Sequence, residues 1–417
     1  MSVRYFPPEI AVSLSNSSGD SENVVISLPT ISKLTDLGAL AQKIQISYPF
    51  FKPKHTISIE KALRDILSIA NADFCSFKLA HTVKTHAMPL TDCCFNKNGN
   101  IFVTTSYDHK ACIWNSDTGD CVVELIGHQN PVYCCCFNMP VCNLIATGSF
   151  DKTAGIWSVQ SGEMLHRLKG HSGEIVSIKF DSGGKVLATG SMDYKAIIWD
   201  VERGQHLSIL EEHTGEIVSV DICSANQLLL TSSFDCTARI WDIRSGDCIS
   251  ALRGHSDALC GAYFSTTGNN IITGSLDHTA RIWDVRQALA MHALKGHEKE
   301  VIGVSFSMDS SRAATSSADK TARIWSTSTG QCIATCEGHT KEVGKVTFNP
   351  QGTKLLTASD DYTCRIWSAS DGSQLEILEG HIDDVMTCTY NYSGNRIITA
   401  SKDNTVNTYR ATEIKDV

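Results

Sequence analysis

Ile271-Ile272-Thr273-Gly274-Ser275, then Asp277, then Thr279-Ala280-Arg281-Ile282-Trp283 is the stretch that decides the fold. Two short runs rich in β-branched residues flank the three-residue break Leu276-Asp277-His278, the pattern of adjacent strands joined by a tight turn. Downstream, Lys295-Gly296-His297-Glu298-Lys299-Glu300-Val301-Ile302-Gly303-Val304-Ser305-Phe306 turns at Gly-His and enters an alternating strand with Val304 and Phe306 on one face. Upstream, Cys248-Ile249-Ser250-Ala251-Leu252 reads as a further strand, and Gly268-Asn269 and Gly352-Thr353 mark turns. The unit is therefore four strands long.

The same unit recurs along the chain. His86, His128, His171, His213, His255, His297, His339 and His381 fall 42 or 43 residues apart, as do Asp108, Asp151, Asp193, Asp235, Asp277, Asp319, Asp361 and Asp403. Six residues after each Asp stands Trp114, Trp157, Trp199, Trp241, Trp283, Trp325 or Trp367, and in the last copy Tyr409. All seven tryptophans of the chain occupy this one position, so the period is a property of the fold and not of composition. Four residues before each Asp is a Thr and two before it a Ser, from Thr104 and Ser106 to Thr399 and Ser401. Residues two apart on a strand share a face, so a hydroxyl points toward the Trp strand in every copy.

These residues resemble the WD-repeat family, in which Gly-His opens and Trp-Asp closes a unit of one four-stranded propeller blade. The match runs from about Ser76 to Arg410; Thr85 and Glu212 replace the Gly before His, and only Trp199, Trp241 and Trp283 are followed by Asp. The resemblance implies a relay from Asp through His and Ser/Thr to the indole N–H. His128, Asp151, Trp157, His171, Asp193 and Trp199 are thus expected to be structural, because the network satisfies polar groups buried beside a large ring. Eight His-to-Trp copies are present, and nothing but seven residues follows Arg410. The strand Phe77-Lys78-Leu79-Ala80-His81-Thr82-Val83 is expected to complete the eighth blade and close the ring, since an open ring would leave two unpaired edges. The expected class is all-β: an eight-bladed propeller over 76–410, a small α+β domain over 1–75, and a tail over 411–417.

Residues 1–75 lack the repeat. Seven Lys/Arg balance seven Asp/Glu there, so the net charge of -9 belongs to the propeller. Ile10, Val12 and Leu14 alternate before a loop and Val24-Val25-Ile26-Ser27-Leu28, which reads as a hairpin. Thr35 is placed to cap a helix aligning Leu37, Leu40, Ala41 and Ile44, and a second helix over about 58–71 aligns Ile59, Leu63, Ile66 and Ala70. So small a piece buries little core alone and is expected to pack on the propeller. The start Arg4-Tyr5-Phe6-Pro7-Pro8-Glu9-Ile10, the helical preface and the eight repeats together resemble the family of dynein assembly factors with WD repeats. That resemblance implies a monomeric adaptor in the cytoplasm and the cilium or flagellum, at axoneme and basal body. Its implied partners are outer dynein arm subunits and an intraflagellar transport complex B subunit.

Composition narrows the remaining choices. An acidic chain with pI near 5.9 does not wrap nucleic acid by bulk charge, and no run approaches the ~18 apolar residues of a membrane helix. Pro7-Pro8-Glu9 stands where a secretory signal carries its apolar run, so export is not expected. Seventeen cysteines with no Cys-x-x-Cys read as reduced, small hydrophobes and not as a zinc or disulfide framework. No phosphate loop, His-Glu-x-x-His or Gly-x-Ser-x-Gly elbow occurs, so no catalytic centre and no cofactor are expected. The residue before each Asp runs Tyr107, Phe150, Met192, Phe234, Leu276, then Ala318, Asp360, Lys402. Five large apolar groups on neighbouring turns suggest either a partner-binding arc or, equally, packing into the central channel. Glu174, Glu216, Glu300, Glu342 and Asp384, three after the His, would ring that face with negative charge and favour a basic partner. Arg239, Arg281, Arg323 and Arg365 line a further arc, their stems suited to covering the neighbouring blade. Trp241-Asp242-Ile243-Arg244 and Trp283-Asp284-Val285-Arg286 resemble the box of propellers that recruit substrates to a cullin ubiquitin ligase. That reading, or a general WD-repeat scaffold, is the alternative to the dynein adaptor.

Overall fold

The computed structural model describes residues 2–4, 9–15, 21–28, 36–48, 50–51, 55–70, 76–84 and 86–412. Two compact units part at Phe74 and Cys75. The larger unit is eight four-stranded antiparallel sheets, each a meander whose strands neighbour one another in chain order, with one exception. In the fifth sheet the strands are Leu259–Phe264, Asn270–Ser275, Thr279–Asp284 and Leu289–Lys295, which is the pattern legible in the sequence. The turn between the first two is closed by Gly268 at φ +71°, a conformation that a Cβ would strain.

The exception is the ring's closure. The last sheet takes Val385–Tyr390, Arg396–Ser401 and Thr405–Ala411 from the C-terminal end and Phe77–Lys84 from the start of the unit. Val406 faces Val83 and Tyr409 faces Leu79 in this pairing. Arg396 and Arg410 of the last blade both reach Asp117 of the first, locking the seam with charge as well as with backbone bonds. Ile398, Ala400 and Val406 also share one apolar cluster with Leu90, Phe102 and Trp114 across that seam.

Every blade buries its apolar face against the next. Cys134, Ala146 and Ile156 of the second blade pack with Ile175, Leu187 and Trp199 of the third, and equivalent clusters repeat round the ring. All seven indoles are essentially inaccessible. Close approach needs small residues on the facing strand: a Cβ on Gly274 would lie 2.7 Å from Val304 Cγ1. At full burial each ring removes roughly 150–250 Å² from water, so the tryptophans set the spacing between blades.

In the smaller unit, Ser2–Arg4, Glu9–Ser15 and Ser21–Ser27 form one antiparallel sheet, and helices span Leu37–Ser47 and Thr56–Ala70. The strand Ser2–Arg4 is too short to show an alternation in sequence. The first helix is capped by Asp36, whose Oδ1 accepts the amides of Gly38 and Ala39 at 3.0 and 3.2 Å; Thr35 lies outside the described residues. The Asp36 carboxylate suits the position because it also meets the helix's positive end. Ile10, Ile26, Ala41, Ile59, Leu63 and Ile66 close a core within this unit.

Candidate functional site

Each His-Asp turn rests on one polar chain built from three strands. His Nδ1 lies 2.7–3.0 Å from Asp Oδ2, and His Nε2 lies 2.7–2.9 Å from Thr Oγ1 in all eight blades. In the seven tryptophan blades the indole Nε1 donates to the same Thr Oγ1 at 2.8–2.9 Å. One proton arrangement satisfies every member: indole N–H to Thr oxygen, Thr hydroxyl to His Nε2, His Nδ1–H to Asp.

The serine belongs to a second circuit. Ser275 Oγ accepts the Asp277 amide at 3.1 Å and donates to the Asp257 carbonyl at 2.9 Å; the first bond recurs in every blade and the second in all but the third. Of the two hydroxyls in the expected relay, only the threonine's takes part. The serine sits at the strand end, where its oxygen reaches the turn backbone and not the indole.

The aspartate completes the turn. Asp277 Oδ2 also accepts the Ser256 amide at 3.1 Å, and Oδ1 accepts the Thr279 amide at 2.9 Å. These bonds hold the intervening His278 at φ +67°, and the corresponding residue of every blade has positive φ from +67° to +73°. Burial opposes the charge on these carboxylates. Bonds from the histidine, from a threonine hydroxyl two residues on in every case but Asp193, and from backbone amides outweigh it, the threonine leading for Asp319; they hold Asp151, Asp235, Asp361 and Asp403 well below the usual range and Asp193 and Asp319 at about 2. Burial in turn pushes His255 and His297 down, more strongly than their aspartates lift them. A neutral, doubly bonded imidazole has neither a free lone pair for a metal nor a free proton to give.

The other chemical candidates are held just as firmly. Among the described residues no group of three His, Cys, Asp or Glu side chains is placed to hold a metal ion. Burial pushes the Cys93 and Cys134 thiols well up, so these inner-strand cysteines are poor nucleophiles. Asp242 and Asp284 use Oδ1 to accept the Arg244 and Arg286 amides at 2.7 and 2.8 Å, which gives the Trp-Asp-x-Arg segments a local turn role. The guanidinium of Arg239 pairs with Glu212, in the link from the third blade's outer strand, and that of Arg365 bonds Gln374 of its own blade.

Outside this frame the turns differ, and here the structure brings two sequence signals together. The amide of the residue before each Asp donates to the carbonyl of the residue three after the His. Met192 bonds Glu174 and Phe234 bonds Glu216, both at 2.9 Å; Ala318 bonds Glu300 at 3.0 Å and Asp360 bonds Glu342 at 3.1 Å. Met192 and Phe234 are exposed, while Tyr107, Phe150 and Leu276 are half-buried. Glu174 and Glu216 therefore stand beside large apolar groups, whereas Glu300 stands beside a small alanine and Glu342 beside an aspartate. Two aromatic members escaped the sequence reading. Tyr133, at the mouth of the central channel, stacks on Phe150 with centroids 5.3 Å apart, and Tyr107 meets Phe150 edge-on at 6.3 Å. Tyr194 is exposed one turn further on. Their signal was the position, one residue into the inner strand for Tyr133 and one past the Asp for Tyr194.

Eight consecutive matches to the WD domain, G-beta repeat model (WD40) cover residues 77–115, 119–158, 162–200, 204–242, 246–284, 290–326, 330–368 and 372–409. The chain belongs to the WD40 repeat family. Its first unit begins with the strand that closes the eighth blade, so sequence repeats and structural blades are offset by one strand. Among curated relatives, "Dynein assembly factor with WD repeat domains 1" of Homo sapiens is 39% identical over 142 residues, that of Xenopus laevis 38% over 139, and that of Danio rerio 38% over 141. The matched stretch spans about a third of this chain and a third of each relative's length. Among solved structures, the computationally designed Ika8 protein superposes with a TM-score of 0.71 at 25% identity, over 79% of this chain and 98% of that one. Similarity thus extends to proteins named for dynein assembly, carried on a platform that a designed sequence can also adopt.

Proposed function

We propose that this WD40 propeller is a non-enzymatic adaptor that couples outer dynein arm complexes to intraflagellar transport during axonemal dynein assembly in motile cilia. It works in the cytoplasm and in the cilium or flagellum, as a monomer, holding outer-arm subunits and an intraflagellar transport complex B subunit at once. The observation that carries this reading is the similarity to dynein assembly factors, joined to a ring whose repeated histidines are all spent on structure. A rigid disc offers partners a preformed surface, so little ordering cost is paid on binding. Tyr107, Phe150, Met192, Phe234 and Leu276, with Glu174, Glu216, Glu300 and Glu342, are the residues assigned to contact a partner.

The test is affinity purification of the tagged full chain from ciliated cells. Recovery of outer-arm dynein chains together with a complex B subunit is expected. The Phe150→Asp, Phe234→Asp double variant should lose the dynein chains while its melting midpoint stays within a few degrees of the parent. Recovery of a cullin adaptor in place of both partners would overturn the reading.

A further inference from the structure

The innermost strands of the first two blades bring two thiols together at the channel wall. Cys94, on Leu90–Phe95, and Cys135, on Val132–Phe137, stand 41 positions apart in sequence, yet their Sγ atoms lie 3.8 Å from one another. Both line the central channel, a cavity of about 730 Å³. Both are free thiols, and Cys94 is the more accessible of the two. Cys364 and Cys388 also bond each other, but both are fully buried and stand outside the channel lining.

Asp92 completes the group. Its Oδ2 accepts the Cys135 amide at 3.2 Å and lies 4.0 Å from Cys135 Sγ, while its Oδ1 accepts the Cys93 amide at 2.9 Å. One proton arrangement fits both sulfur contacts: Cys94 S–H to Cys135 Sγ, and Cys135 S–H to the Asp92 carboxylate. Burial pushes the Asp92 carboxyl up against the pull of Lys345, which brings its proton affinity closer to that of a thiol. The bond from Cys94 and burial push the Cys135 thiol well up, so it holds its proton at rest and needs a base at the moment it reacts.

We propose that Cys94 and Cys135 form a reversible disulfide between blades one and two when hydrogen peroxide enters the channel, with Asp92 accepting the proton of Cys135. The Cys94 sulfur attacks one peroxide oxygen. The O–O bond breaks, the thiol proton leaves with the other oxygen as water, and Cys94 becomes a sulfenic acid. Cys135 then passes its proton to Asp92 and attacks the Cys94 sulfur, so the S–S bond forms as the S–O bond breaks. The departing hydroxide recovers the proton from Asp92 as a second water. The two thiols lose two electrons to one peroxide, and a thiol reductant returns them. The cross-link spans 41 positions and ties down the blade that adjoins the seam, so the oxidised ring resists unfolding whatever partner it holds.

The test treats the reduced full-length protein with a few equivalents of hydrogen peroxide, blocks the remaining thiols with N-ethylmaleimide and maps cross-links by peptide mass spectrometry. A Cys94–Cys135 link should form, revert with dithiothreitol and raise the melting midpoint by a few degrees, while Cys364 and Cys388 stay reduced. In Cys135→Ala, dimedone should capture a sulfenic acid at Cys94. In Asp92→Asn that capture should persist while cross-linking slows about tenfold or more. The variants are read only where they melt as the parent does, and the parent's own map decides the proposal if they do not. Over-oxidation of Cys94 without a link, a link from either cysteine to a different one, or equal cross-linking of Cys364 to Cys388 would overturn it. An unchanged cross-linking rate in Asp92→Asn would overturn the part given to Asp92.

Discussion

Seven blades of this ring are built from contiguous chain and one is not, and the difference shows what the repeat is for. In blades one to seven a Trp closes the third strand and donates to the Thr that holds the His. In the eighth, Tyr409 takes that place and turns its hydroxyl to the Glu379 carbonyl at 3.2 Å, leaving Thr399 without an indole donor. Asn407 stands where blades four to seven carry Arg, its side chain buried beside Tyr409. The outer strand comes from residue 77 onward, some three hundred positions away in sequence. The eighth blade thus lacks the indole bond but gains the seam: an imported strand, a shared apolar cluster and two arginines on Asp117.

The largest expected effect follows from that trade. A chain beginning at residue 76 keeps the closing strand, whereas one beginning at residue 85 exposes the edge of Thr405–Ala411 and both sides of the seam. The first should remain monomeric and melt within a few degrees of the full-length protein. The second should aggregate or melt in a broad, early transition, as read by size-exclusion chromatography and calorimetry. A monomeric, cooperatively folded 85–417 chain would show that the seam is dispensable and the comparison empty.

Acid should act next, and on all eight blades alike, because the eighth retains the His381–Asp403 pair at 3.0 Å. The aspartates have folded-state values below their unfolded ones, so the unfolded chain takes up protons first as pH falls. Their stabilisation is complete above about 4 and drains away toward about 2, the value for Asp193 and Asp319. His255 and His297 are also depressed, so the loss begins earlier, as pH drops below the imidazole's ordinary 6.5. The melting midpoint should decline gently below about 6.5 and steeply below about 4. A midpoint that rises on acidification would mean the histidines are charged in the native ring, which reverses the proton arrangement drawn above.

How much of this was legible in the sequence depends on what a linear pattern can encode. The His, Asp and Trp recur at fixed spacing because each occupies the same turn of the same meander, so fold and blade count could be read directly. Strand boundaries followed for the same reason, as in Thr279–Asp284. Which hydroxyl completes the relay could not be read, because Thr273 and Ser275 share a face and only three-dimensional reach separates them. The binding face was half legible. The position before each Asp pointed to Met192 and Phe234, but the split between Glu174 and Glu216 on one side and Glu300 and Glu342 on the other depends on which backbone groups pair across the turn. Tyr133 was hidden because it lies on a strand that otherwise reads as core, and only the bulge at the strand's start turns it to the channel mouth.

The smallest effect gives the sharpest view of the eighth blade. Replacing Thr by Val keeps the shape and removes one hydroxyl, so the cost counts the buried groups left unsatisfied. In the fifth blade, Thr273→Val orphans two: the Trp283 indole N–H, which donates to it at 2.9 Å, and His255 Nε2, which lies 2.8 Å away. In the eighth, Thr399→Val orphans His381 Nε2 and no indole. At roughly 1–3 kcal/mol per stranded buried group, the fifth-blade variant should lose about 2–5 kcal/mol and the eighth-blade variant about half that, from urea denaturation midpoints with unchanged slope. The double-mutant coupling of Thr273→Val with Trp283→Phe should be clearly favourable, since each removes the other's partner; the matching pair at Thr399 and Tyr409, where the Tyr409 hydroxyl is shared between Thr399 and the Glu379 carbonyl, should couple more weakly. Equal costs in both blades, or strong coupling in the eighth, would show that Tyr409 does for Thr399 what an indole does elsewhere, and the closing blade would then owe its stability to the repeat and not to the seam.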